Sequence, residues 1–517
     1  MNTPDPKRDR LLFDYRRRIE QARVYEVADI TALEVAPKLS ERIGNRLLLK
    51  REDQQPVHSF KLRGAYNHMA RLDPDARRRG VVAASAGNHA QGVALGASRL
   101  NLRATIVMPR TTPGIKVDSV RALGARVVLH GDTYDEAAAH GQELAETRGL
   151  IYVPPYDHPD VIAGQGTVAR EILQQHDGRL DAVFVPVGGG GLIAGMAAYL
   201  KTVRPSIRVI GVEPVDAACL DLALRRGRRD SLREVGLFAD GVAVRQIGAE
   251  PYRIARHCVD EVVLVEIDEI CAAVQDIFYE NRSLPEPAGA LAVAGAKKWA
   301  ARNGASGQTL AAVISGANVN FERLRHIAER AQIGEAHEAL MAVRIDEEPG
   351  SFRRFCARLG EHAITEFNYR YASADSAQIF VGIKLDDGAE ERHAIVEALR
   401  GAGYAVVDLS EDEIAKVHVR YMVGGRSPGL SDERLFRFEF PERPGALQRF
   451  LDHVGGRWNI SLFHYRNHGA AYGRVLVGLQ LPRGEREACR EALDEIGYVY
   501  HDETDNPAYA LFLGTGR

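Results

Sequence analysis

Cysteine is scarce in this chain: five in 517 residues, at positions 219, 258, 271, 356 and 489, with no C-x-x-C pair among them. That spacing offers neither a zinc knuckle nor a disulfide framework and is consistent with a reducing compartment. No run of about 18 apolar residues occurs, so a membrane span is not expected. The first residues, with Asp5, Lys7, Arg8, Asp9 and Arg10, lack the apolar run of a secretory signal. An excess of one charge is missing too. Lysine and arginine (67) nearly balance aspartate and glutamate (70), a net of −3, which argues against nucleic acid or an anionic membrane as partner. No Gly-Lys dipeptide exists, so a P-loop is excluded. The expectation is a cytoplasmic protein with small-molecule partners and no metal site.

The length exceeds what one hydrophobic core supports and predicts about three domains. Residues 10 to 25 place Leu11, Leu12, Tyr15 and Ile19 at helical spacing, a leading amphipathic helix. Short apolar runs then alternate with helical patterns, at 81–84, 104–108, 125–129, 182–186, 209–212 and 310–314. This α/β rhythm predicts parallel strands buried on both faces, with ligands at their carboxyl ends. The loops after those strands are therefore the candidates for chemistry.

Before the first run stands Ser59-Phe60-Lys61-Leu62-Arg63-Gly64-Ala65. Lys61 between two apolar residues reads either as a surface lysine or as a desolvated amine suited to Schiff-base and proton-transfer chemistry. After Ala84 comes Ser85-Ala86-Gly87-Asn88-His89-Ala90-Gln91-Gly92, a turn of small residues that can aim backbone N–H groups at an anion, or a plain cap by Ser85 or Asn88. After Pro186, Gly188-Gly189-Gly190-Gly191-Leu192 opens a helix as a phosphate cup would. The same glycines, with Ala194 and Glu213, fit a loose dinucleotide fingerprint, a rival that leaves Lys61 without a task. Ser315-Gly316-Ala317-Asn318 puts a hydroxyl on a strand end, and Glu286 lies between two prolines, where it could complement a helix dipole. A lysine, an anion loop, a phosphate cup and that hydroxyl together are the parts a pyridoxal phosphate (PLP) enzyme needs.

In this order the four motifs resemble those of the threonine dehydratases (threonine ammonia-lyases), fold type II PLP enzymes with a tryptophan-synthase-β-like catalytic domain of two α/β subdomains. The resemblance spans about residues 10 to 335. It implies that Lys61, flanked by Phe60, holds the cofactor and takes the substrate Cα proton. Gly188, Gly189, Gly190, Gly191 and Leu192 hold the phosphate, Asn88 bonds the ring hydroxyl, and Ser315 faces the ring nitrogen. Ser85, Ala86, Asn88 and His89 surround the substrate carboxylate. The implied reaction is deamination of L-threonine to 2-oxobutanoate. Serine dehydratase is the alternative enzyme, and a non-catalytic amino-acid sensor the alternative of another class. Serine racemases of this fold carry a serine where Ala86 stands and a carboxylate metal ligand where Cys219 stands, which argues against racemisation and against that metal site.

From about residue 336 an internal repeat replaces the rhythm. Glu348-Pro349-Gly350-Ser351-Phe352 recurs as Arg443-Pro444-Gly445-Ala446-Leu447, and Ile364–Arg370 recurs as Ile460–Arg466. Each copy reads as a split βαβ unit. The pair resembles the two ACT-like, ferredoxin-like α+β regulatory domains of the biosynthetic enzymes, giving expected boundaries of 1–335, 336–430 and 431–517. The resemblance implies isoleucine as inhibitor, valine as its opponent and a homotetramer. Tyr369 and Tyr465 are candidate effector-pocket walls or ordinary sheet packing.

Overall fold

The computed structural model describes residues 6–334, 338–346, 348, 350–360, 362–370, 376–412, 415–416, 419–422, 427, 430–441, 445–454, 456–466, 472–506, 509 and 513. The chain divides into two units, Met1–Ala331 and Gln332–Arg517.

The first unit carries ten strands: β1 (Leu33–Val35), β2 (Arg46–Arg51), β3 (Val81–Ala84), β4 (Ala104–Met108), β5 (Arg126–Leu129), β6 (Ile151–Tyr152), β7 (Ala182–Pro186), β8 (Arg208–Pro214), β9 (Glu261–Val265) and β10 (Thr309–Ile314). They form two sheets. The larger runs β1-β2-β10-β7-β8-β9, parallel except for β1. The smaller runs β5-β4-β3-β6 and is parallel throughout. The Val-, Ile- and Ala-rich runs of β3, β7 and β10 are buried because helices cover both sides. The leading helix, Pro6–Glu20, buries Leu11, Leu12, Tyr15 and Ile19, the expected stripe, and stops five residues earlier than its pattern predicts.

A group of buried charges ties the larger sheet to the helix Lys61–Ala70. Arg63 donates Nε and Nη2 to Glu52 (2.7 and 2.8 Å) and Nη1 and Nη2 to Glu171 (2.5 and 3.0 Å). Lys50 on β2 donates to the same Glu171 at 2.6 Å. All four side chains are fully buried.

The second unit holds β11 (Glu338–Asp346), β12 (Ile364–Arg370), β13 (Ser376–Lys384), β14 (Ala405–Asp408), β15 (Glu433–Pro441), β16 (Asn459–Arg466), β17 (Tyr472–Gln480) and β18 (Val499–Asp502). With its helices the order is βαββαβ twice, the split unit that the repeat predicts. The two copies join edge to edge through β12 and β16 into one antiparallel eight-stranded sheet, β14-β11-β13-β12-β16-β17-β15-β18. Equivalent residues Asn368 and His464 face each other there, as a local two-fold axis requires. Phe352, Phe367, Phe450 and Phe463 belong to one core shared by both copies. The turn prolines Pro349 and Pro444, with Arg443, lie outside the described residues, while Gly350 and Gly445 have the left-handed φ of 90° and 82° that favours glycine there.

Candidate active site

Two motifs 256 residues apart are joined by backbone. Phe60 N–H donates to Ser315 O (3.2 Å), Ala317 N–H to His58 O (2.9 Å), and Ser59 bridges Gly316. The carboxyl end of β10 thus seats the start of the lysine helix. Lys61 keeps some surface, yet its Nζ lies among protein atoms and donates only to Gly241 O, at 3.3 Å. Burial pulls its pKa below the ordinary lysine value, against the opposing fields of Glu286 and Asp240. A larger neutral fraction makes the amine a better nucleophile and proton acceptor.

Asn88 is held from both ends. Its Nδ2 donates to Glu286 (2.5 Å) and its Oδ1 accepts from Asn318 Nδ2 (2.6 Å), which also donates to Val57 O. The amide keeps a second N–H for a ligand. The anion-loop reading of the 85–92 turn fits its geometry. Gly87, with no side chain to offer, is the N-cap of the helix Asn88–Arg99, so neither Ser85 nor Asn88 caps it. Ser85 Oγ accepts from Gly87 N–H at 3.2 Å and retains its proton to donate. The His89 ring is turned away to Val153 O (2.9 Å), and burial holds its pKa down at about 4. Its backbone N–H remains in the first helical turn, where anions are favoured. Gly92 explains the end of the motif: a Cβ there would sit 2.9 Å from Leu62 Cα and 3.2 Å from the Lys61 carbonyl carbon. Only glycine lets the two helices cross that closely at the lysine.

The tetraglycine forms a cradle whose Cβ positions are already taken by packed neighbours. A Cβ on Gly189 would fall 2.1 Å from the Tyr156 ring, one on Gly188 2.8 Å from Val242 Cα, and Gly190 has φ +89°. Gly191 and Leu192 open the helix Gly191–Val203, which has no side-chain cap, so its first-turn N–H groups are available to an anion. Gly241 links the cradle to the lysine: its carbonyl accepts from Lys61, and a Cβ on it would meet Glu286 and Asn88 Nδ2 at 3.4 and 3.9 Å. Ser315 Oγ, on the end of β10, contacts only Ala288 O, at a loose 3.3 Å.

Tyr156 is a site residue that the sequence reading overlooked. The cue was Pro154-Pro155-Tyr156 directly after β6. Glu286 does not act through the helix dipole alone, as its Pro-flanked position suggested, because its carboxylate orients Asn88. Glu213 is no ribose acid: it is fully buried and accepts from the N–H groups of Leu220 and Asp221 at 2.8 and 2.9 Å. That removes the dinucleotide reading. Cys219 donates Sγ to Gly188 O, and among the described residues it joins no group of three metal ligands.

In the second unit a small cavity is lined by Gly350, Ser351, Phe352 and Tyr369 of the first copy and Trp458 and Ile460 of the second. It lies at the start of the helix Ser351–Leu359. Tyr465 is buried opposite Phe367 and is not among the residues lining it.

The amine, the glycine cradle and the strand-end hydroxyl make this the site of a PLP enzyme, and residues 26–316 match the family described as pyridoxal-phosphate dependent enzyme. Residues 329–419 and 424–513 each match the C-terminal regulatory domain of threonine dehydratase. The chain is 55% identical to the L-threonine dehydratase biosynthetic IlvA of Pasteurella multocida and to that of Escherichia coli, over 97% of each chain. Among solved structures it resembles the processed form of threonine deaminase isoform 2 from Solanum lycopersicum, at 48% identity and TM-score 0.62, covering 63% of this chain and 94% of that one. This chain belongs to the biosynthetic threonine dehydratases: it is a lyase with PLP as cofactor and a C-terminal regulatory region. The residues fit the cofactor, since a lysine amine of lowered pKa and a cradle that no Cβ can enter are what its aldehyde and phosphate need.

Glu286 gives the site a pH signature. Burial first, then Asp240, raises its pKa to about 7 from an ordinary 4.5. The folded state therefore holds a proton that the unfolded chain releases, so the stability from this group is full below pH 4.5 and is lost as pH rises through 7. In urea unfolding of protein stripped of cofactor, Glu286→Gln should gain on the wild type by on the order of 2–3 kcal/mol between pH 4.5 and pH 8. A pH-independent difference would refute the raised carboxyl.

Proposed function

We propose that this chain deaminates L-threonine to 2-oxobutanoate and ammonia by α,β-elimination of water, and that isoleucine inhibits it through the regulatory unit, with valine opposing. The observation that carries the first part is the joining of Ser59–Lys61 to the Ser315 strand end beside the glycine cradle. Bound PLP supplies the electron sink that acidifies the substrate Cα–H. The N–H groups of Gly188 to Leu192 hold the phosphate, and Phe60 flanks the lysine. Asn88, kept in orientation by Glu286 and Asn318, donates to the ring oxygen. Ser315 would offer the ring nitrogen a neutral hydroxyl instead of a carboxylate, a partner that would suit prompt loss of the β-hydroxyl. Ser85 Oγ–H and the backbone at Ala86, Asn88 and His89 receive the substrate carboxylate.

Lys61 takes the Cα proton. The β-hydroxyl leaves as water, and the released enamine takes water back to yield the oxo acid and ammonia, so the net reaction is threonine to 2-oxobutanoate plus ammonia. The methyl of Ala86 carries no ionisable proton, which leaves Lys61 as the side-chain base and disfavours racemisation.

For the regulatory unit we take residues 336–430 and 431–517 as two ACT-like modules, a division supported by the repeated βαββαβ order. An effector carboxylate suits the first-turn N–H groups that follow Ser351, whose own N–H donates to Glu348 O, with Tyr369, Trp458 and Ile460 around its side chain, and Tyr465 is the counterpart in the second copy. A cytoplasmic homotetramer is the assembly we propose, and nucleic acid and membrane are not proposed partners. No described helix is long and apolar enough to cross a membrane.

Oxo-acid release should be faster from threonine than from serine, and a reversed preference would make the chain a serine dehydratase. Saturating isoleucine should lower threonine turnover at subsaturating substrate by on the order of tenfold, and valine should restore it. Unchanged turnover across an isoleucine titration would reject the regulatory reading.

A further inference from the structure

His68 lies seven residues after Lys61, two turns along the same helix face. It is 8% exposed, and neither ring nitrogen has a hydrogen-bond partner. The Tyr152 carbonyl is near enough to favour a proton on it, but burial and the adjacent His158 prevail and keep the ring neutral, with a pKa of about 4. A buried imidazole whose one nearby carbonyl misses hydrogen-bond geometry is uncommon and has room for a further partner.

Its neighbours carry donor atoms of the metal-ligand type. The His158 ring is 4.3 Å away, centroid to centroid, at 66°. His158 is the N-cap of the helix Pro159–Gln175, and Asp160 is that helix's second residue. One donor atom from each of His68, His158 and Asp160 lies within 4.8 Å of the others, and this is the one group of its kind among the described residues. Two imidazoles and a carboxylate are the donor set of zinc and its neighbours in the first transition row, whereas magnesium and calcium select oxygen alone.

We propose that His68, His158 and Asp160 bind one divalent transition-metal ion of the zinc class, clamping the end of the Lys61–Ala70 helix to the start of the Pro159–Gln175 helix. A water completes a tetrahedron. His158 Nδ1 now accepts the Asp160 N–H at 3.1 Å, and coordination at Nδ1 replaces that cap. The helices are already in register here, because Asn67 Nδ2 donates to Asp160 O at 2.6 Å. Arg18 and Arg71 approach Asp160 Oδ1 at 3.6 and 3.8 Å, while Oδ2 is turned to His158. These guanidiniums orient the carboxylate and repel a cation, so affinity is moderate. The five cysteines are all buried and do not compete.

The test uses the holoenzyme, treated with chelator and dialysed against zinc alone, with metal counted per chain and thermal melting followed alongside. Wild type should bind one zinc per chain and melt higher with it, and magnesium should do neither. His68→Leu and Asp160→Asn should each bind zinc at least about tenfold more weakly. His68→Leu replaces an unpartnered imidazole with an apolar group, so its metal-free melting temperature should equal or exceed that of the wild type, and Asp160→Asn keeps the test independent of that fold. Absence of stoichiometric zinc in the wild type, or wild-type affinity in either variant, overturns the proposal.

Discussion

Lys61→Ala protein, loaded with PLP and freed of excess, should lack the visible absorption band that borohydride bleaches in the wild type, and its oxo-acid release from threonine should fall by at least about 10³-fold. The size of the loss follows from two tasks in one amine. In the proposed mechanism it secures the cofactor covalently and is the base at Cα, with no second base beside it: the Ala86 methyl carries no ionisable group, and the His89 ring is committed to Val153 O. Its lowered pKa, set by burial, raises the neutral fraction of the amine above that of an ordinary lysine. Lys61→Arg should fare no better, because a guanidinium stays protonated. Binding of the cofactor phosphate should weaken less than catalysis, since the glycine cradle is untouched. Turnover by Lys61→Ala within tenfold of the wild type would overturn the mechanism.

The second large effect concerns stability. Arg63→Met should lose about 3–5 kcal/mol in denaturant unfolding, because it strands Glu52 and Glu171 as buried charges with one cation fewer. The directions of titration describe that dependence. Burial alone would raise the Glu52 carboxyl, yet Arg63 and Lys50 together hold it below its ordinary range. Burial lowers Lys50 despite Glu171 beside it. Replacing Arg63, Glu52, Glu171 and Lys50 together by apolar residues of similar volume should cost far less than the single change, since a complete buried ion group is worth little over hydrophobic packing. Near-equal losses in the single and quadruple variants would show that the pairing is not what holds the lysine helix to its sheet.

The legible part of the fold was the part whose pattern is local. Runs 81–84, 104–108 and 182–186 are strands with those same bounds, because a strand covered on both faces must be apolar throughout. β2 escaped notice since Arg46, Lys50 and Arg51 break its apolar run, and Lys50 is buried only because Glu171, 121 residues away, neutralises it. β1 and β6, of three and two residues, are too short to show a period. In the site, Lys61, the 85–92 turn and the glycines each announced a chemistry. Tyr156 did not, since what marks it is the space that Gly189 leaves for its ring.

By itself, then, the order of residues determined the α/β class, the repeated regulatory unit and the short list of chemical parts, all of which rest on neighbours within one helix or strand. Tertiary structure alone decided that Ser315 seats the lysine helix, that Glu286 serves Asn88, that Glu213 caps a helix instead of a ribose, and that His68 meets His158. Three of those contacts join residues tens to hundreds of positions apart and the Glu213 cap spans only seven or eight, but the energies of all four depend on burial, which no local pattern contains.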